Sequence, residues 1–230
     1  MAKKSISSNR KLEIACFNIK SALVAQENGA DRVELCDGFE VGGTTPDFET
    51  IRQARENLSI DLYVMIRPRG GNFIYSDEEF KQMQLDILAL KELKADGFVF
   101  GILNEDSTVN LEQNKILVDL AKPFPCTFHR AFDEVMDAFE ALEQTIDCGF
   151  TTILTSGQAQ NVTEGMDFLA ELVKVANNRI IIMPGGGLRS NNIENLQQNT
   201  KAIFYHSSAI TNGSETPNPK EILALKAKLR

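Results

Sequence analysis

Six polar residues stand at or near the ends of short β-forming runs: Glu34, Cys36, Arg67, His129, Thr155 and His206. Their types cover three chemistries. Glu34 and His129 belong to the residue classes that move protons near neutral pH. Arg67, followed by Pro68 and Arg69, offers guanidinium groups that hold a carboxylate or phosphate bidentately. Cys36, His129 and His206 supply thiol and imidazole, the soft donors that Cu(I) prefers.

None of these can act unless the chain gathers them. A strand turns successive side chains to opposite faces, and an ionisable group is costly on a face packed against apolar helices. Applied run by run, that rule turns these pairs toward one interior: Glu13 and Ala15, Glu34 and Cys36, Met65 and Arg67, Thr127 and His129, Ile153 and Thr155, Phe204 and His206. Cys16 and Cys126 then face helices. Loops add to the same mouth. Gly42-Gly43-Thr44-Thr45-Pro46 follows the second run, and Arg67 to Tyr75 sets two arginines beside Gly70-Gly71. Gly185-Gly186-Gly187 follows the seventh run and Ser207 the eighth, in the loops where a barrel commonly binds phosphate on backbone N–H groups.

The expected catalytic groups are therefore Glu34, Arg67 and His129. Arg69, Thr155, Gly185, Gly186, Gly187, His206 and Ser207 are the expected contacts to a small anionic ligand, and Cys36, His129 and His206 the expected metal ligands. Arg130 takes the parity opposite to His129, so it is given a supporting role only. Asp133 either orients His129 or caps the next helix.

Eight runs carry these residues: Leu12–Cys16, Arg32–Cys36, Asp61–Arg67, Gly97–Phe100, Pro125–His129, Thr151–Thr155, Arg179–Met183 and Ala202–His206. They begin about 27 residues apart, the length of one strand–helix unit. Helical periodicity fills the gaps, as in the stripe Phe80, Met83, Ile87 and Leu90 behind the capping box Ser76-Asp77-Glu78-Glu79. Thr45-Pro46 and Asn218-Pro219 each read as an N-cap followed by Pro at the first helical position. Gly29-Ala30-Asp31 recurs as Lys94-Ala95-Asp96, with Gly149-Phe150-Thr151 a looser echo, so the even-numbered strands share one entry turn.

Eight alternating units predict an α/β fold, a TIM-type (β/α)8 barrel. The rival doubly wound sheet would carry a G-x-G-x-x-G or P-loop turn, and neither occurs. The predicted organisation is a flexible tail over 1–11 and one barrel domain over 12–230. A last helix over Glu221–Arg230, after a loose Gly213–Asn218 linker, covers the barrel or a partner subunit.

Composition narrows the partners. With 24 Lys+Arg against 32 Asp+Glu the net charge is −8, which argues against nucleic acid. No apolar run reaches the roughly 18 residues of a membrane span, and the polar, basic N-terminus has no signal-peptide core, so a cytoplasmic protein is expected. Cys16, Cys36, Cys126 and Cys148 form no C-x-x-C or C-x-C pair, which points away from disulfides and structural zinc.

Several of these segments closely resemble the CutC family. They are Glu34-Leu35-Cys36, Gly43-Thr44-Thr45-Pro46, Met65-Ile66-Arg67-Pro68-Arg69-Gly70-Gly71, Thr127-Phe128-His129-Arg130-Ala131-Phe132-Asp133, Ile153-Leu154-Thr155-Ser156-Gly157 and Met183-Pro184-Gly185-Gly186-Gly187. The match runs from about Leu12 to Ala209. The resemblance implies a TIM-type barrel, a cytoplasmic homo-oligomer such as a dimer, and a role in copper homeostasis. It also implies acids at positions 72, 104 and 110, where this chain has Asn72, Asn104 and Asn110. Fewer rim charges there weaken any hard-metal site.

Two functions stay open on the residues. One is a copper homeostasis protein that binds Cu(I) at the mouth, copper being the expected metal and no other cofactor being expected. The other is a lyase, isomerase or hydrolase for a small anionic or phosphorylated substrate, with Glu34 and His129 as acid and base and Arg67 and Arg69 as anchors.

Overall fold

A computed structural model describes residues 10–229. Its strands are β1 (Lys11–Cys16), β2 (Arg32–Leu35), β3 (Asp61–Met65), β4 (Gly97–Phe100), β5 (Cys126–Phe128), β6 (Thr152–Thr155), β7 (Ile181–Pro184) and β8 (Phe204–Ser207). All are parallel neighbours in the order β7-β6-β5-β4-β3-β2-β1-β8, and β7 lies beside β8, so the sheet closes on itself as the predicted barrel. Every run falls within two residues of its expected ends. The tail expected over 1–11 mostly lies outside the described residues, but Lys11 already opens β1, opposite Phe204.

Among the described residues eight α-helices cover the strands: α1 (Ile19–Glu27), α2 (Phe48–Asn57), α3 (Asp77–Glu92), α4 (Leu111–Ala121), α5 (Ala138–Cys148), α6 (Met166–Ala176), α7 (Ile193–Thr200) and α8 (Pro219–Leu229). Their starts follow local chemistry. Ser76 and Glu79 form the reciprocal capping box of α3, and Pro219 opens α8 as expected. At α2 the expectation fails. The helix starts at Phe48 and Asp47 is its cap, accepting from the Thr50 N–H, because Asp47 can reach that amide whereas the Thr45 hydroxyl is taken by the Arg67 N–H.

The repeat has a physical meaning. Gly29, Lys94 and Gly149 all adopt positive φ, which swings the chain into the next strand. Asp31 then accepts the Leu12 N–H at 2.7 Å, and Asp96 accepts the Leu62 N–H at 2.9 Å. The looser third copy uses the Thr151 hydroxyl, which donates to the Cys126 carbonyl at 3.1 Å.

Two apolar layers result. Ile14, Leu35, Val64, Phe98, Phe128 and Tyr205 belong to the fully buried layer between strands and helices, and Cys16 and Cys126 lie in it as expected. The other layer fills the barrel, where Arg32 is clamped between the rings of Tyr63 at 3.8 Å and Phe204 at 4.1 Å. One strand departs from the expected parity. Thr127 of β5 pairs with Thr152 of β6, which carries the inward phase to Thr152 and Leu154. Ile153 and Thr155 therefore point outward, Ile153 into the outer apolar layer.

Candidate functional site

Register builds the base of the site. Glu13 on β1 is opposite both Arg32 on β2 and His206 on β8, so three inward side chains meet across adjacent strands. Glu13 pairs with the Arg32 guanidinium through one oxygen and with His206 Nδ1 at 2.6 Å through the other. Two residues further along β2, Glu34 lies 3.9 Å from His206 Nε2, and the Cys36 thiol donates to Glu34 Oε2 at 3.6 Å. Glu13, Glu34 and His206 are the acid/imidazole cluster among the described residues whose donor atoms converge within 4.8 Å.

Burial sets the charges here. It pushes Glu34 up to about 7, with the Glu13 carboxylate adding to the effect and His206 opposing it. For Glu13 burial also pushes upward, but Arg32 and His206 win and its carboxyl is lowered. For His206 burial acts to lower the value, yet the Glu34 and Glu13 carboxylates outweigh it and the imidazole is raised. The Cys36 thiol is pushed far up by burial and by Glu34 beside it, so it rests protonated. This corner thus keeps a proton on Cys36, leaves Glu34 near its midpoint at neutral pH and favours the protonated imidazole of His206, while Glu13 is held toward its ionised form beside Arg32 and His206.

Above it opens a cavity of about 200 Å3, lined among others by Glu34, Cys36, Arg67, His129, Arg189 and His206. That is below the roughly 300–1,000 Å3 of pockets for larger ligands, so the space suits a compact one. Arg67 is 5% exposed, and it spends its terminal nitrogens on the carbonyls of Val41, Gly43 and Gly71, each at 2.8 Å. It has no carboxylate partner among the described residues. His129 begins a short 3-10 turn over Arg130–Glu134, where its Nδ1 accepts the Ala131 N–H at 3.3 Å. Burial, helped by the Arg67 charge, lowers His129 to about 3, so the ring is neutral at physiological pH.

Several expected roles need correction. His129 is held away from the Glu34 carboxyl that Cys36 and His206 share: its Nδ1 accepts the Ala131 N–H and its ring packs on Phe73 at 4.7 Å, and like Cys36 it lies outside the converging Glu13–Glu34–His206 cluster. Arg69 is not at the mouth: Glu79 holds it at 2.7 Å and it also bonds the Ile74 carbonyl, so it braces its own loop. Thr155 faces outward and donates to Asp133. Asp133 neither orients His129 nor caps α5, which Asp137 caps. It accepts from Thr155, Ser156 and Gln158 and pairs with Arg130 at 2.7 Å.

Of the glycines, Gly186 and Gly187 line the cavity, whereas Gly185 gives its N–H to the Thr155 carbonyl. A Cβ on Gly186 would come within 3.3 Å of the Arg130 guanidinium carbon, so Gly186 lets that side chain approach. Ser207 lines the cavity, but its hydroxyl is engaged by the Leu188 carbonyl and the Ala209 N–H.

Arg32 and Arg189 were missed, and Arg130 was given too small a role. Arg32 could have been found, since it shares the inward phase of Glu34 two residues on. Arg130 lines the cavity because the 3-10 turn ends strand alternation at His129. Arg189 reaches it from the loop after β7, where no periodicity applies; it bonds the Leu188 and Ile210 carbonyls at 2.6 and 2.9 Å.

Comparison with known proteins adds a family. The model of the CutC family matches residues 10–211. A family protein CutC of Parabacteroides distasonis is 47% identical over 201 residues, covering 87% of this chain and 83% of that one. The copper homeostasis protein cutC homolog of Homo sapiens is 41% identical over 198 residues, covering 86% and 72%. A crystal structure of CutC from Streptococcus agalactiae aligns with a TM-score of 0.84 at 37% identity, over 88% of this chain and 100% of that one. Phosphoribosylanthranilate isomerase of Thermotoga maritima, at 14% identity and a TM-score of 0.64, shares the barrel alone.

Proposed function

The chain belongs to the CutC family, and on that footing we propose that it serves copper homeostasis by taking up one Cu(I) at the mouth of the barrel, on Cys36 and His206. The observation that carries the reading is the meeting of a thiol and an imidazole around one carboxyl: Cys36 Sγ at 3.6 Å and His206 Nε2 at 3.9 Å from the same Glu34 oxygen. Thiolate and imidazole are soft enough for Cu(I). Glu13 holds Nδ1 of His206, so Nε2 is the nitrogen left to bind, the arrangement by which a carboxylate orients a metal-bound histidine.

The thiol must lose its proton to bind, and Glu34 is the acceptor already in contact with it. His206 must also be neutral at Nε2. Uptake therefore displaces protons, and affinity weakens as pH falls, by up to about tenfold per pH unit for each proton released. The test is competition for Cu(I) against a chromogenic chelator at several pH values. The expected result is one copper per chain, with affinity falling toward low pH and lost in Cys36→Ser. Equal, pH-independent binding by both proteins would contradict it.

A cytoplasmic setting and a homodimer are part of the same proposal. All four cysteines are buried and unpaired, in keeping with a reducing compartment. No helix among the described residues is long and apolar enough to cross a membrane. Light scattering on the full chain tests the dimer.

A further inference from the structure

The copper reading uses one corner of the cavity and leaves the rest of its lining unexplained. Arg67, after β3, and Arg189, after β7, reach the cavity from opposite sides of the barrel mouth, and neither has a carboxylate within salt-bridge distance among the described residues; their bonds go to neutral oxygens. The Tyr75 hydroxyl and Arg67 Nε are both buried without a hydrogen-bond partner. His129, 3% exposed, presents Nε2 with no partner. Because Nδ1 accepts the Ala131 N–H, the neutral ring carries its hydrogen on Nε2 and is a donor there. Glu34 Oε1 is buried and unpartnered as well.

A buried donor without an acceptor is costly, and an unneutralised guanidinium more so. Two positive charges and a free N–H around a cavity of about 200 Å3 ask for a small anion.

We propose that Arg67, His129 and Arg189, which line the cavity from the ends of β3, β5 and β7, form a binding subsite for the oxyanion group of a small molecule, a carboxylate or a phosphate. His129 Nε2–H donates to the oxyanion, and the two guanidiniums supply the field that draws it in. Glu34 Oε1 faces the ligand as the polar group for a hydroxyl or an acidic proton. The subsite does not depend on copper, whose proposed donors are Cys36 and His206.

The test is calorimetric titration of the metal-free full chain with inorganic phosphate and, separately, malonate, with chloride as control. Wild-type protein is expected to bind at least one of the two oxyanions 1:1 and at least tenfold more tightly than chloride. Preference for one over the other identifies phosphate or carboxylate as the source. His129→Phe keeps the ring packing against Phe73 and removes the donor; it is expected to weaken oxyanion binding at least tenfold while Cu(I) affinity is unchanged. In wild-type protein the Nε2–H resonance of His129 is expected to shift on adding the anion, a readout that needs no variant. Oxyanion binding no tighter than chloride, or a His129 resonance unmoved by a bound anion, would overturn the proposal.

Discussion

At the scale of the residue, Glu34 decides the chemistry of the mouth. Burial and the nearby Glu13 carboxylate hold it at about 7, so at neutral pH it is near its own midpoint and can take or give a proton. The linkage has a definite sign. A carboxyl raised from 4.5 to about 7 in the folded chain contributes stability that is complete below about pH 4.5 and is lost as pH rises through about 7. Glu34→Gln keeps the neutral form at every pH. Its thermal midpoint relative to wild type is therefore expected to rise by several degrees between pH 5 and pH 8.5, measured by circular dichroism. A gap that stays constant would show that Glu34 ionises freely. His129 has the reverse sense: lowered to about 3, it contributes stability above its ordinary value near 6.5, lost as pH falls from there toward 3. Sequence alone made Glu34 and His129 equal candidates for acid and base. What separates them is tertiary: burial raises a carboxyl and lowers an imidazole, with the Glu13 carboxylate beside one and the Arg67 guanidinium beside the other adding to it, and no spacing along the chain records that.

At the scale of the element, much was legible because local rules sufficed. The Gly-Ala-Asp and Lys-Ala-Asp turns announced two strand entries, and the structure gives each Asp the same duty, holding the N–H of the first buried Leu in the preceding strand. Asp96 also pairs with Arg55. Asp96→Ala strands the Leu62 amide at a fully buried residue, and a loss of about 1–3 kcal/mol in urea unfolding is expected. A change below a few tenths would mean that the repeat is only a sequence echo. Parity was the weaker guide. It served where an ionisable residue fixed the inward face, as with Glu34 and Arg67. It failed on β6, where Ile153 and Thr155 carry no charge and Thr155 finds an outward partner in Asp133. It also failed past the strand ends: Arg69 looks equivalent to Arg67 in Arg67-Pro68-Arg69, but Glu79, ten residues on, captures it.

At the scale of the whole molecule, the eight-unit barrel follows from an even spacing of strands, while the site follows from closure. Glu13, Arg32 and His206 come from both ends of the sequence and meet only because β8 returns to β1. Net charge reads differently once the fold is known. The chain carries −8 overall, yet its mouth gathers Arg67, Arg130 and Arg189 around carboxylates that are protonated or paired. A cation therefore enters only by displacing protons from the Cys36–Glu34–His206 corner, and an anion meets the arginines that line the rest of the cavity. The most direct test of the central claim is X-ray absorption spectroscopy on the full chain loaded with one equivalent of Cu(I) under anaerobic conditions. The expected spectrum has one sulfur and one imidazole nitrogen around copper, with the sulfur lost in Cys36→Ser and the imidazole lost in His206→Phe. A copper shell unchanged by both substitutions, or one with no sulfur in the wild-type chain, would contradict the assignment of the mouth as the copper site.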